Sequence, residues 1–534
     1  MKAIKLDGDV HRSRAELRWW PLLAAVAMLA AGLACARGDV PVNAAGVTLP
    51  PATQSKATET TAPIESVTPM QSSTPVPTDT PSAPEVPVSP TPPPTPTSAN
   101  GDEPTTILYQ VQPADTLRTL AVRFGVVIDE ITPAEGTLPG PDQMLTPDRL
   151  LLIPRRLGPT GPSEKLIPDS EFVFSPHAVD FDPASFANQQ GGYLSQYRET
   201  VYGRWRTGPE VVELAARDNS VNPRLLMAML EFISGWLTSP DRPVGGAFTY
   251  PLGHKDPETQ GMYRQLTWLA NKMGEGYYGW RAGKLTELGF GDGSTLRLAP
   301  GLNAGTVALQ YYFSTELSSR QWAEAISPSG FAATYESLFG DPFEYTHPLF
   351  EAGVSQPTLI LPFIAGHSWA FTGGPHGAWE REAAWAALDF APPSVEAGCA
   401  KSDEWVVASA AGLVLRSGRG LVVLDLDGDG REQTGWDLIY LHIAEVGSVE
   451  AGDFVEQGDL IGHPSCEGGI ATGTHVHMAR KYNGEWILAD GALPFNLSGW
   501  VSQAGTKPYQ GALVKGDQVV LACTCASSET YISR

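Results

Sequence analysis

Residues 473 to 479, Gly-Thr-His-Val-His-Met-Ala, set two histidines two positions apart in a chain that has only ten. In an extended strand, residues i and i+2 project to one face roughly 6–7 Å apart. His475 and His477 can therefore serve one small site while Val476 and Met478 face a core. Two further groups offer nitrogen or oxygen donors for such a site. His376 follows a Gly-Gly-Pro turn, and Asp389 sits in the apolar run Trp-Ala-Ala-Leu-Asp-Phe-Ala (385–391), where a carboxylate buried without a partner is costly. Service as a metal ligand removes that cost. His442 lies in WDLIYLHI (436–443), where alternation puts it on one face with Tyr440 and puts Ile439, Leu441 and Ile443 on the other.

Other residues suggest separate chemistry. LDLDGDGREQTGW (424–436) opens with Asp425, Asp427, Asp429 and Gly430 at the spacing of a calcium loop, and Gln433 can add an oxygen at position nine. Trp436 stands where such a loop has its bidentate glutamate, so an ion-free acidic hairpin is the other reading. Four cysteines besides Cys35 allow three pairings. Cys523 and Cys525 are not expected to bond each other, and Cys399–Cys466 is one structural pairing among those left. His367 reads as an ordinary polar contact, and His254, His347 and His463 as solvent-exposed.

The elements that must position these residues change character along the chain. From about 358, short apolar runs alternate with glycine-rich turns: VVASAAGLVLR, LVVLDL, WDLIYLHI, DFVEQGDLIGH and THVHMARKY read as antiparallel strands. Residues 165–350 read as helical, with stretches near 208–217, 222–238, 258–274, 304–315 and 319–339. ILYQVQPADTLRTLAVRFGVV… (107–154) begins with a strand, continues with a helix capped at Asp115-Thr116, and closes on the strand Leu150–Pro154. Residues 38–105 are rich in Pro, Thr and Ser, a composition that buries no core and favours an extended spacer. Before it, Arg12, Arg14 and Arg18 precede the apolar run 21–36, the pattern of an export signal. Cleavage at Ala34-Cys35-Ala36, a lipid anchor on Cys35 and an uncleaved anchor are its three endings, and all export the chain. The formal charge, 36 − 59 = −23, repels nucleic acid and anionic headgroups.

Taken in order, His376, Asp389, the Tyr-x-His of His442 and the final His475-x-His477 resemble the lysostaphin-type and beta-lytic zinc metallopeptidases. The long interval from 376 to 389 is similar to the beta-lytic branch. The resemblance implies His376, Asp389 and His477 as zinc ligands, with His442 and His475 as catalytic histidines. Three ligands leave a fourth position for water, the arrangement of a catalytic zinc. His475 can then take a proton from the water, while His442 binds the oxyanion or orients the water. It also implies an exported enzyme that cuts peptide cross-links of peptidoglycan. The segment 106–156 resembles a LysM module, which binds N-acetylglucosamine chains. Ala114 stands where that family has glycine, and a structural cap without ligand is the alternative there. Residues 222–238 resemble the first catalytic helix of the lysozyme-like transglycosylases, but Ile233 occupies the place of the glutamate. Glu231 is two positions away, about 200° around a helix, so the domain reads as a non-catalytic glycan binder or spacer.

The expected fold is multidomain: a small α+β LysM module, a mostly α lysozyme-like middle domain and a C-terminal antiparallel all-β metallopeptidase domain. The boundaries are signal 1–36, linker 37–105, LysM-like 106–156, helical 165–350, peptidase 358–505 and C-terminal extension 506–534. Expected partners are peptidoglycan peptides and glycan strands, a membrane tether through lipidated Cys35, and Zn²⁺, with Ca²⁺ at the acidic loop. The rival class is a non-enzymatic wall-binding or regulatory protein that keeps the peptidase fold.

Overall fold

The computed structural model describes residues 105–345, 347–379, 384–394 and 396–534. The N-terminal signal with Cys35 and the linker up to residue 104 lie outside them. Among the described residues, no helix is long and apolar enough to cross a membrane.

The first unit pairs strand Thr106–Gln110 antiparallel with Leu150–Pro154 and sets helix Leu117–Phe124 across them. Thr116 caps the helix through a reciprocal box with Thr119, and Gly125 ends it in the left-handed conformation. Leu120, Phe124, Leu151 and Ile153 fill its small core. A single 3₁₀ turn, Ile128–Glu130, follows the helix. Ala114 has φ +65°, which explains why a glycine is at home in that position.

Six helices form most of the next domain: Gly208–Asn219, Pro223–Ser234, Met262–Arg281, Ala304–Glu316, Ser319–Ala325 and Phe331–Phe339. Three of the expected stretches differ: 258–274 is the helix Met262–Arg281, which starts after Gly261 and ends later, and two others differ for local reasons. The stretch 222–238 stops at Ser234 because Gly235 turns left-handed. The stretch 319–339 breaks into two helices around the Ser-Pro-Ser-Gly of 327–330. Glu231 accepts hydrogen bonds from the Leu237 and Thr238 backbone N–H groups and from the Thr238 hydroxyl. It holds the turn that follows its own helix.

The C-terminal part is built on a nine-stranded antiparallel sheet. Its central order runs Gly412–Gly418, Leu421–Asp425, Trp436–Leu441, Val476–Tyr482, Trp385–Ala391, Ser368–Gly377 and Tyr531–Ser533. Alternation sorts the side chains. Leu388, Phe390, Tyr440, Val476 and Met478 enter one core with Leu497, Trp500 and Leu513 of a second, four-stranded sheet. Ala387, Val423, Ile439, Leu441 and Ala479 face the other way and share a core with the helical domain.

Residues 506–534, read in the sequence as an extension, belong to this domain. Strands Gly511–Lys515 and Gln518–Leu521 complete the second sheet, and Tyr531–Ser533 closes the edge of the first beside Ser368–Gly377. The Gly-Gly-Pro run is likewise not a turn but an irregular part of strand Ser368–Gly377, whose register shifts between Phe371 and Gly377. Two disulfides are present. Cys399–Cys466 is one of the pairings that the sequence left open. Cys523 also bonds Cys525, against expectation: the chain turns there and brings the two Cα atoms to 5.1 Å.

Arg281 links all three parts. It lies 3.0 Å from Asp169 in its own domain, 3.2 Å from Glu485 of the β domain, and donates to the Pro113 carbonyl of the first unit.

Candidate active site

Asp389 and His477 are directly opposed on neighbouring strands, and Gly373 opposes Asp389 from the other side. A Cβ on Gly373 would sit 2.4 Å from Asp389 Oδ2, so only glycine leaves room for the carboxylate. His376 enters from the bulged end of the same strand as Gly373. The result is that Asp389 Oδ1 lies 3.2 Å from His376 Nε2 and 3.2 Å from His477 Nδ1, and these two nitrogens lie 3.0 Å apart. All three residues are buried, at 2%, 6% and 6% exposure for His376, Asp389 and His477.

Each ring is oriented by a backbone carbonyl. His376 Nδ1 is 2.8 Å from Gly374 O, and His477 Nε2 is 3.0 Å from Ala378 O. With those nitrogens as the donors, the facing nitrogens present lone pairs. Asp389 Oδ1 consequently takes no hydrogen bond although it is buried. Three electron-rich atoms converging on one point, with both rings backed by carbonyls on their far sides, suit a cation. Against the cost of burial, the Asp389 charge lifts His376 above the ordinary imidazole range. Asp389 itself, despite its own burial, is held well below the carboxylate range by His376 and His475. Burial pushes His477 down.

The remaining two histidines stand beside this triad. His475 precedes strand Val476–Tyr482, with Nε2 3.7 Å from Asp389 Oδ1 and Nδ1 held 2.7 Å from Gly473 O. His442 stacks near it, ring centroids 4.4 Å apart, with Nδ1 2.8 Å from Glu467 O. The sequence put His442 on one face with Tyr440. Instead, the strand ends at Leu441 and His442 takes φ +63°, which sends Tyr440 and Ile443 into the core while the ring turns to the site. Burial, reinforced by His475 and His477, pushes its pKa down to about 4.

Asp425, Asp427 and Asp429 also come together, with ligand atoms within 4.8 Å of one another. Asp425 accepts the backbone N–H groups of Asp427, Gly428 and Gly430, and Asp429 those of Arg431 and the Thr434 hydroxyl. Gln433 is half-buried in the same loop. Loop donors already engage these carboxylates, as in an acidic hairpin. His367 makes the polar contact expected of it, 2.7 Å from Glu404. His254 and His463 are half-buried rather than exposed, against Trp268 and Trp405.

Tyr509 is the site residue that the sequence did not reveal. It stacks on His376 at 4.1 Å, with φ +67° and with backbone bonds to Gly374 and Pro375 that lock it over the ring. Only the unusual Gly-Gly-Pro run hinted that another segment approaches there: a Cβ on Gly374 would meet the Gln510 backbone at 2.6 Å.

Comparison with known proteins adds two family matches: residues 165–351 to the LasA N-terminal domain, and residues 395–488 to peptidase family M23. The second includes His442, His475 and His477 and begins after His376 and Asp389. Protease LasA of Pseudomonas aeruginosa strain UCBPP-PA14 is 27% identical over 303 residues, 51% of this chain and 66% of the relative; that of strain PAO1 is 26% identical over the same shares. The chain thus spans about two-thirds of these curated relatives, 66% of their length. Among solved structures, the M23 metalloprotease pseudoalterin from the deep sea is 21% identical over 34% of this chain and 100% of that one, TM-score 0.28. The catalytic domain of lysostaphin from Staphylococcus simulans is also 21% identical, over 23% and 89%, TM-score 0.17. In its β domain the chain is therefore similar to the peptidases of family M23, and in the helical domain ahead of it to the N-terminal domain of LasA.

Proposed function

We propose that the chain is an exported zinc-dependent endopeptidase acting on the peptide cross-links of bacterial peptidoglycan. One observation carries the reading: the buried Oδ1 of Asp389, which accepts no hydrogen bond, faces a ring nitrogen of His376 and one of His477 at 3.2 Å each. These three residues would hold the ion. When bound, zinc supplies Lewis acidity toward a water and a scissile carbonyl.

The chain's own groups handle protons. His475 donates through Nδ1 to Gly473 O, which leaves Nε2 to accept the proton of the attacking water. His442 is kept neutral by burial and donates through Nδ1 to Glu467 O, so its Nε2 is an acceptor. That favours orienting the water over donating to an oxyanion. Tyr509 and the Gly374 carbonyl fix the His376 ring. The N-terminal signal supports export, with Cys35 as the residue for a lipid tether, and the strand–helix–strand unit at 106–154 supports a LysM-like glycan binder. That unit and the helical domain, as two weak wall-binding modules tethered to the site, raise the effective concentration of substrate.

The test is to expose purified peptidoglycan to residues 105–534 and score new free amines against new reducing ends, with and without a zinc chelator. Chelator-sensitive amines are expected. Reducing ends without amines would move the chemistry to the helical domain. Absence of both amines and reducing ends would overturn the enzyme reading.

A further inference from the structure

The two halves of the site are anchored differently. The carbonyls that orient His376 and His477 belong to Gly374 and Ala378, in or directly after a ten-residue strand. Those that orient His442 and His475 belong to Glu467 and Gly473, in an irregular segment between strands Leu460–Gly462 and Val476–Tyr482. That segment contains Gly468, Gly469 and Gly473 and carries no ladder beyond single bridges at Pro464 and Ser465. Its backbone alone gives little reason to hold two imidazoles.

The Cys399–Cys466 disulfide supplies the missing constraint. Cys466 directly precedes Glu467, whose carbonyl holds His442 Nδ1. On its other side, Ser465 donates through both N–H and hydroxyl to the His442 carbonyl. Across the bridge, the neighbours of Cys399 hold the segment's far end: Gly398 O accepts from Thr474 N at 3.0 Å, and Ala400 O accepts from the Thr474 hydroxyl. Thr474 directly precedes His475. One covalent link thus ties together the backbone on both sides of the two proton-handling rings and touches none of the three metal-side residues.

Resting on the function proposed above, we infer that Cys399–Cys466 is a positioning device for His442 and His475, and that opening it slows turnover without releasing the metal. Cys399 is exposed and Cys466 half-buried, so a small dithiol can reach the bond. Two electrons and two protons pass to the sulfurs, leaving thiols at Cys399 and Cys466 and a disulfide in the reductant.

The test uses the zinc-loaded protein with Cys523→Ser/Cys525→Ser as background, so that only this bridge can respond. Adding Cys399→Ser/Cys466→Ser is expected to lower kcat roughly ten- to hundredfold, the cost of a displacement of about an ångström. KM should change little, and bound zinc per chain should not change. Reversible reduction of the folded background protein should reproduce the loss and recover on reoxidation, which covers a serine variant that fails to fold. A readout independent of turnover is the ring ¹⁵N–¹H spectrum. The Nδ1–H signals of His442 and His475 should broaden or exchange on reduction, while those of His376 and His477 persist. A lower Tm with unchanged kcat and ring signals would overturn the inference, as would zinc loss in step with kcat. If the intact protein releases no amines, the peptidase reading fails, and the ring signals still decide the positioning claim.

Discussion

Two histidines two positions apart are chemically alike until their second nitrogens are considered. His477 gives Nε2 to Ala378 O and faces Asp389 with Nδ1; His475 gives Nδ1 to Gly473 O and faces the same oxygen with Nε2 from farther off. This division leads to a direct contrast. His475→Ala should lower cleavage by about 10²- to 10⁴-fold, the usual contribution of an acid–base group, and keep bound zinc. His477→Ala should lose the zinc. Metal analysis of both purified variants alongside the amine assay checks it; zinc loss from His475→Ala would mean the roles are exchanged. Period-two alternation made the shared face of the pair readable from sequence. It failed at His442 because a single left-handed residue reverses the alternation there, and no property of histidine as a residue type announces such a φ.

Among the elements, the strand Ser368–Gly377 bears most on the site. It carries His376, makes room for Asp389 at Gly373, and receives Tyr509 at Gly374. Gly373→Ala places a methyl where Asp389 Oδ2 now lies. We expect zinc affinity to fall roughly 10- to 100-fold, as for other disturbances of groups supporting a ligand, measured by competition with a chromogenic chelator. Unchanged affinity would show that the strand can shift to admit the methyl. The sequence marked this run as a turn because Gly-Gly-Pro is a turn signature. Here the glycines answer to close approach by other segments, a requirement set by residues far away in the chain. Helix positions were easier to read, since caps and left-handed glycines such as Thr116 and Gly125 act locally.

At the scale of the whole molecule, Arg281 is a shared partner of three domains, at 7% side-chain exposure. Arg281→Ala leaves the buried Glu485 and the half-buried Asp169 without their cation, and a loss of about 3–5 kcal/mol is expected. Calorimetry should show one transition in the parent protein and a lower-melting, broadened or divided one in the variant. A parent that already melts in several steps would show that the domains do not share their stability. None of this hub was legible beforehand, because a lone arginine at the end of a helix resembles any solvated one. The same dependence on distant residues governs when the site comes into being. His376 is covered by Tyr509, and its strand is flanked by Tyr531–Ser533, at the far end of the sequence. A chain still being synthesised holds every residue of the triad before it holds the lid on His376 or the last strand of the sheet. Assembly of the site thus waits on segments made after the triad itself, and the candidate site is timed by chain order.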